Sequence, residues 1–229
     1  MEKFTRFAVY FAPPEGALWE FTARWLGWDA LAGVTCAHPL IEGLPAPAEE
    51  ITVTPRKYGF HGTIKPPFRL ADGATREALE ADLAALATQL SPVWCDGLAL
   101  KRLGGFLALV PVGETSDLAT LASEVVKSLD HHRAPPSEAE LARRRGAGLS
   151  PAQEENLARW GYPYVMDEFK FHLTLTGNLA EEDARAVEAA LRPHLAPLLP
   201  TPFIVPDLCL FGEAQDGRFH LLHRYALSG

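Results

Sequence analysis

The pattern Phe-His-x-Thr-aliphatic occurs twice in this chain, at 60–64 and at 171–175, and each copy opens the same succession of elements. After the first come a Pro-rich turn, a loop with Leu-Ala and the stretch Arg-Glu-Ala-Leu-Glu-Ala-Asp-Leu. After the second come Gly-Asn-Leu-Ala and Glu-Glu-Asp-Ala-Arg-Ala-Val-Glu-Ala-Ala-Leu. Leu79, Leu83, Leu86 and Leu90 recur at helical steps behind a Thr75 cap, as Val187, Leu191 and Leu195 do in the second copy. Acidic residues crowd the second helix's first turn, where the macrodipole favours them. A hairpin pattern then closes each unit, at 98–110 around Gly104-Gly105 and at 203–227 around Asp216-Gly217. Self-similarity of this order is a fold-level signal, not a local one.

The expected architecture is a single bilobal α+β domain over 1–229, with two lobes related by a pseudo-two-fold axis. Each lobe holds a largely antiparallel sheet flanked by helices, and the active site lies in the cleft between them. The first unit spans about 55–112, a helical insertion about 115–160, and the second unit about 165–229. The strand at 4–11 and the helix at 17–28 either join the first lobe or complete the other. Within the insertion, Leu118, Leu121, Val125, Val126 and Leu129 form one amphipathic helix. His131-His132-Arg133-Ala134-Pro135-Pro136 breaks it, and Ser137-Glu138-Ala139-Glu140 starts another with capping chemistry. Ser150-Pro151 opens a third, ended by Gly161 and Pro163.

A strand sends alternate side chains to one face, so His61 and Thr63 point together while Phe60, Gly62 and Ile64 point to the core. His172 and Thr174 behave alike, opposed by Phe171, Leu173 and Leu175. A lone His-x-Thr reads as a structural or solvated histidine; two at equivalent places in a repeat read as one site. Two imidazoles at one point can serve as general base and general acid, since the unperturbed imidazole titrates near neutrality. Two Thr hydroxyls can donate to the oxygens of a phosphoryl group as charge builds on them. No Asp, Glu or Cys stands at ligand spacing beside either histidine, so neither metal nor cofactor is expected.

The net charge of −8 disfavours long nucleic acid, whose phosphates need distributed Lys and Arg, but permits a small anionic substrate in a locally positive cleft. Three scattered cysteines, Cys36, Cys95 and Cys209, form neither a disulfide framework nor a zinc cluster. No apolar run is long enough for a bilayer, the N-terminus lacks a signal-peptide core, and a cytoplasmic location is the expectation.

Around the two motifs, alternation places Lys65 beside His61 and Thr63, and Lys170 beside His172 and Thr174, either as phosphate contacts or as solvated lysines. Arg56 flanks the first motif, and Arg133, in a Pro-bounded loop, can clamp a phosphate or serve a helix end. Tyr10, Tyr58, Tyr162 and Tyr164 offer hydroxyls or stacking faces, with core packing as the alternative. Arg143-Arg144-Arg145 reads as a solvated helix face.

His61-Gly62-Thr63 and His172-Leu173-Thr174 resemble the paired signatures of the 2H phosphoesterase superfamily. Further stretches, including 7–13, 55–61, 106–109, 133–135 and 160–165, resemble a bacterial subfamily associated with phosphonate metabolism and once classed as a domain of unknown function. The resemblance implies a bilobal fold, no required metal, the two His and two Thr as catalytic centre, and hydrolysis of a small phosphodiester such as a cyclic phosphate. It leaves open an RNA-end 2′,3′-cyclic phosphodiesterase or ligase, and a non-catalytic binder of a phosphorylated metabolite. One departure is Gly62, where the superfamily carries a larger residue; looser packing behind His61 is expected there.

Overall fold

Alternation in the first strand separates two apolar clusters. In β1 (Arg6–Phe11), Phe7, Val9 and Phe11 enter the larger cluster, while Ala8 and Tyr10 enter a smaller one on the opposite face. The computed structural model describes residues 4–146 and 148–229.

After β1 come α1 (Ala17–Leu26), the short strands β2 (Trp28–Asp29) and β3 (Val34–Thr35), and the one-turn helices α2 (Ala48–Ile51) and α3 (Val53–Arg56). They lead to β4 (Gly62–Phe68), α4 (Arg76–Ala87), β5 (Val93–Cys95), β6 (Gly97–Leu103) and β7 (Phe106–Val112). The insertion holds α5 (Ser116–Ser128), α6 (Glu138–Arg145) and α7 (Pro151–Trp160). Then follow β8 (Leu173–Thr174), α8 (Glu181–Leu195), β9 (Phe203–Val205), β10 (Asp207–Glu213) and β11 (Phe219–Ala226).

Seven strands form one sheet in the order β11-β10-β1-β4-β8-β7-β6, antiparallel at every pairing. The expected α+β architecture holds, and the two antiparallel halves are continuous. The strands of the two sequence units interleave. β4 lies beside β1 and, beyond it, the hairpin β10–β11; β8 lies beside the hairpin β7–β6. Each His-Thr segment is therefore flanked by the other unit's hairpin, and β1 completes the β4 side. The ladders of the two halves join at one residue pair, Gly62 with Leu173.

The larger cluster lies on the helix-covered face. Helix α4 packs on β10 and β11, α8 on β6 and β7, and α5 on β4. Leu79 and Leu83, Val187 and Leu191, and Leu118, Leu121 and Val125 are the buried stripes that hold them. Each such side chain contributes about 1.5–3 kcal/mol on leaving water. Helix starts follow the chemistry read from the sequence. Thr75 accepts from the Ala78 amide, while Ser137 with Glu140 and Ser150 with Gln153 form capping boxes. Gly161, left-handed at φ 72°, ends α7. Cys95 and Cys209 are buried, Cys36 is partly so, and all three are free thiols. No helix among the described residues is long and apolar enough to cross a membrane.

Candidate active site

The Gly62–Leu173 pair builds the site. In an antiparallel ladder it sets His61 across from Thr174 and Thr63 across from His172, all four on the face opposite Gly62 and Leu173. Directly opposed residues have Cβ atoms about 5 Å apart, so the four side chains form a small square on the face opposite the larger apolar cluster. The strand carrying the second motif has only two residues, and the pairs Ala108–Thr174 and Leu109–Leu173 hold it in register from the other side.

Gly62 corrects the expectation of looser packing. The ring of Phe171 occupies the space where a side chain would stand, and a Cβ on Gly62 would overlap its Cζ. The residue preceding the second histidine thus fills the gap behind the first, tying the two motifs together on the buried side.

On the open side the two imidazoles are held alike. His61 Nδ1 lies 2.9 Å from the carbonyl of Gly59, and His172 Nδ1 lies 2.7 Å from the carbonyl of Lys170. A carbonyl only accepts, so each ring donates its Nδ1–H two residues back and keeps Nε2 for the cleft. His61 Nε2 in turn accepts from the Thr63 hydroxyl at 3.3 Å. Beyond these bonds the rings differ. His61 stacks on Tyr10, ring centroids 3.9 Å apart, and Tyr10 is almost wholly buried. Desolvation pushes the His61 pKa down from 6.5 to about 4; its bond to Gly59 opposes this and His172 adds to it. His172 lies nearer solvent, with Phe106 at 5.6 Å between ring centroids.

Two cavities that share Thr63, Pro66 and Tyr162 form the ends of one cleft. The His172 end, about 540 Å³, is walled by Phe106, Tyr164, Phe169 and Phe171, with Lys170 and Glu168 at its edge. The His61 end, about 370 Å³, takes in Tyr58, Thr174, Arg6, Lys57, Arg143 and Arg144. Burial raises the Tyr10 and Tyr162 phenols above their ordinary range, so both stay protonated at neutral pH.

The expected substrate contacts divide. Tyr58 and Tyr162 line the His61 end, Lys170, Tyr162 and Tyr164 the His172 end, and Tyr10 forms the floor under His61. Three do not reach the cleft. Lys65 is turned away by a bulge: Tyr10 pairs with Thr63 but Val9 pairs with Lys65, so Ile64 is an extra residue and Lys65 faces the helices. It is 1% exposed, donates to the Val126 carbonyl at 3.1 Å and pairs with Asp130 at 3.5 Å. Desolvation lowers its pKa to about 8, with Asp130 opposing. Arg56 donates to the Leu26 carbonyl at the end of α1 and to Thr52, and so ties α3 to α1. Arg133 makes a two-pronged pair with Asp130, 2.7 and 3.1 Å, and reaches the Arg159 carbonyl.

His131 and His132 bind Asp82 at 3.0 and 2.8 Å, outside either cavity. Asp82, His131 and His132 are also the one group of three potential metal-ligating side chains gathered among the described residues. No pattern in the sequence placed Arg6 in the cleft, and Arg143 and Arg144, which read as a solvated helix face, line it as well. The one sequence feature bearing on Arg143 and Arg144 was their place in the helical insertion between the two units.

The sequence profile described as "Protein of unknown function (DUF1045)" matches residues 63–220. Two proteins named ribose 1,5-bisphosphate phosphokinase PhnN align over nearly the whole chain. The one from Janthinobacterium sp. (strain Marseille) is 34% identical over 222 residues, covering 94% of this chain and 49% of its own length. The one from Laribacter hongkongensis (strain HLHK9) is 37% identical over 213 residues, covering 93% and 49%. The chain spans about half the length of these curated relatives. Among solved structures, E. coli LigT complexed with 3′-AMP aligns at 14% identity and TM-score 0.43, covering 99% of this chain and 100% of that one. TT0787 of Thermus thermophilus aligns at 16% and TM-score 0.44, covering 98% of each. On the extent of the profile match, the chain belongs to the DUF1045 family.

Proposed function

We propose that the chain is a phosphoesterase that hydrolyses a small phosphodiester, a cyclic phosphate on a sugar linked to phosphonate breakdown, without a metal in the chemical step. The observation that carries this reading is the square of two imidazoles and two hydroxyls, with both Nε2 atoms turned to one cleft. The reaction balances on these groups. Water attacks phosphorus and passes a proton to one Nε2; the phosphorus–oxygen bond to the leaving group breaks, and the other Nε2 gives that oxygen its proton. Thr63 and Thr174 donate to the non-bridging oxygens.

Environment breaks the pseudo-symmetry of the pair. His61 is neutral through the physiological range, so it is the proton acceptor. His172, closer to solvent, is then the group that gives the leaving oxygen its proton.

The phosphokinase name of the relatives supports a different activity for a different segment. Those proteins are twice as long, and this chain contains no Gly-x-x-x-x-Gly-Lys-Ser/Thr stretch to cradle a nucleotide's phosphates. We assign the kinase to the half of those proteins that this chain does not match. What their name contributes here is a chemistry, pentose phosphates, that suits a neighbouring phosphoesterase.

The test follows a 2′,3′-cyclic nucleotide and a ribosyl cyclic phosphate by phosphorus NMR in EDTA. The expected result is a phosphomonoester product, retained in His194→Ala and lost in His61→Ala. No hydrolysis of either compound by the wild type, or equal hydrolysis by His61→Ala, overturns the reading.

A further inference from the structure

The His61 end of the cleft has a composition that a single phosphodiester does not call for. Four cationic side chains line it, Arg6, Lys57, Arg143 and Arg144, and among the described residues not one carboxylate does. The chain as a whole carries 29 acidic residues against 21 Lys and Arg, so this segregation runs against its average charge. Arg6 is neutralised by a two-pronged pair with Glu213. Lys57, Arg143 and Arg144 have no carboxylate ion pair among the described residues. Aromatic rings support two of them instead: Lys57 Nζ lies 4.8 Å from the Tyr58 centroid, and the Arg144 guanidinium 4.3 Å from that of Tyr162. A ring orients a cation without cancelling its charge.

The contrast with the next arginine is informative. Arg145, on the same helix turn, pairs with Glu154 at 2.5 Å and does not line the cleft. Helix α6 contributes no buried side chain to the core, so packing alone does not explain its position. The capping box and the Arg69–Glu140 pair at 3.0 Å anchor its start, and its last turn brings Arg143 and Arg144 over the cleft.

Resting on the phosphodiesterase reading above, we propose that this end is a subsite for a second phosphate, a phosphomonoester on the same small molecule. A diester carries one negative charge, which the two imidazoles and the two hydroxyls of the square already meet with their hydrogen bonds. Three cations without a carboxylate ion pair stand beside it and match a dianionic group. The substrate class is then a phosphorylated sugar cyclic phosphate, with its second phosphate toward Lys57 and α6 and its organic part toward the aromatic His172 end.

The experiment is calorimetric binding of adenosine 3′,5′-bisphosphate and adenosine 3′-monophosphate to the intact chain. The wild type is expected to bind the bisphosphate about 30-fold tighter. That ratio drops to about threefold or less in a Lys57→Gln/Arg143→Gln double variant. It persists in the charge-conserving Lys57→Arg/Arg143→Lys variant and in His61→Ala. Equal affinities in the wild type, no detectable bisphosphate binding, or a ratio unmoved by removing the charges overturns the subsite. Turnover is read separately. A ratio that follows the cations in a protein that hydrolyses no diester leaves the subsite standing and removes the phosphodiesterase reading. Hydrolysis with a ratio near one does the reverse.

Discussion

The two ends of the cleft start from the same five-residue pattern and finish as different environments. At the first copy, His61 lies on a buried tyrosine, neutral, with Arg143 and Arg144 brought in from the insertion. At the second, His172 stands nearer solvent among phenylalanines and tyrosines. What the copies share is backbone-determined: the strand alternation and the Nδ1–H bond to the carbonyl two residues back. What separates them comes from non-repeated parts of the chain, β1 with Tyr10 under one ring and the insertion over the cleft. On the proposed reading, duplication supplies the acid–base groups, and the unduplicated segments give each its role.

Removing either imidazole should show the largest effect. His61→Ala and His172→Ala are each expected to lower kcat about 10²–10⁴-fold, with the double variant little worse than the poorer single one. Steady-state kinetics in EDTA measure this, and multiplicative losses would separate the two groups. Next come the hydroxyls: Thr63→Val and Thr174→Val should each cost about 10–10²-fold. Thr63→Val should be the worse, because Thr63 also donates to His61.

The pH profile sharpens the comparison further. A base with pKa about 4 works while unprotonated, so kcat/KM should hold from neutrality down and fall as pH drops through about 4, not near 6.5. An acid limb near 6.5 would mean that His61 is solvated like an ordinary imidazole. The same depression acts on stability. Between 6.5 and about 4 the unfolded chain binds a proton that folded His61 does not, so stability falls as pH falls through that window. His61→Gln should flatten that part of the unfolding curve.

Smaller effects are expected on the buried side. Gly62→Ala drives a methyl into Phe171 and should cost about 1–3 kcal/mol in chemical denaturation. Lys65→Met should leave turnover within about twofold, because the side chain faces α5 and not the cleft. A large loss of turnover there would place Lys65 in the site after all.

The grouping of two His and two Thr side chains on one face was legible in the sequence because strand alternation is local and the motif repeats. The helix starts were legible because capping chemistry at Ser137 and Ser150 needs only three neighbouring residues. The interleaving of hairpins was not, since strand partners are chosen by packing between residues far apart in the chain. Lys65 was misjudged because one extra residue at Ile64 turns the next side chain over, and a bulge leaves no mark in a period-two pattern. Arg56 and Arg133 looked like phosphate ligands, but carbonyls at Leu26 and Arg159 and the Asp130 carboxylate satisfy them. Arg143 and Arg144 depended on the path of the insertion, which no local signal specified.

The division of labour between the histidines can be read from leaving-group dependence. Turnover of a nitrophenyl phosphodiester, whose leaving group needs no proton, is compared with that of the matching alkyl diester in His61→Ala and His172→Ala. His172→Ala is expected to slow the alkyl ester about 100-fold more than the nitrophenyl ester, while His61→Ala slows both alike. Rescue by the nitrophenyl group in His61→Ala instead, or no loss in either variant, would contradict that division of labour.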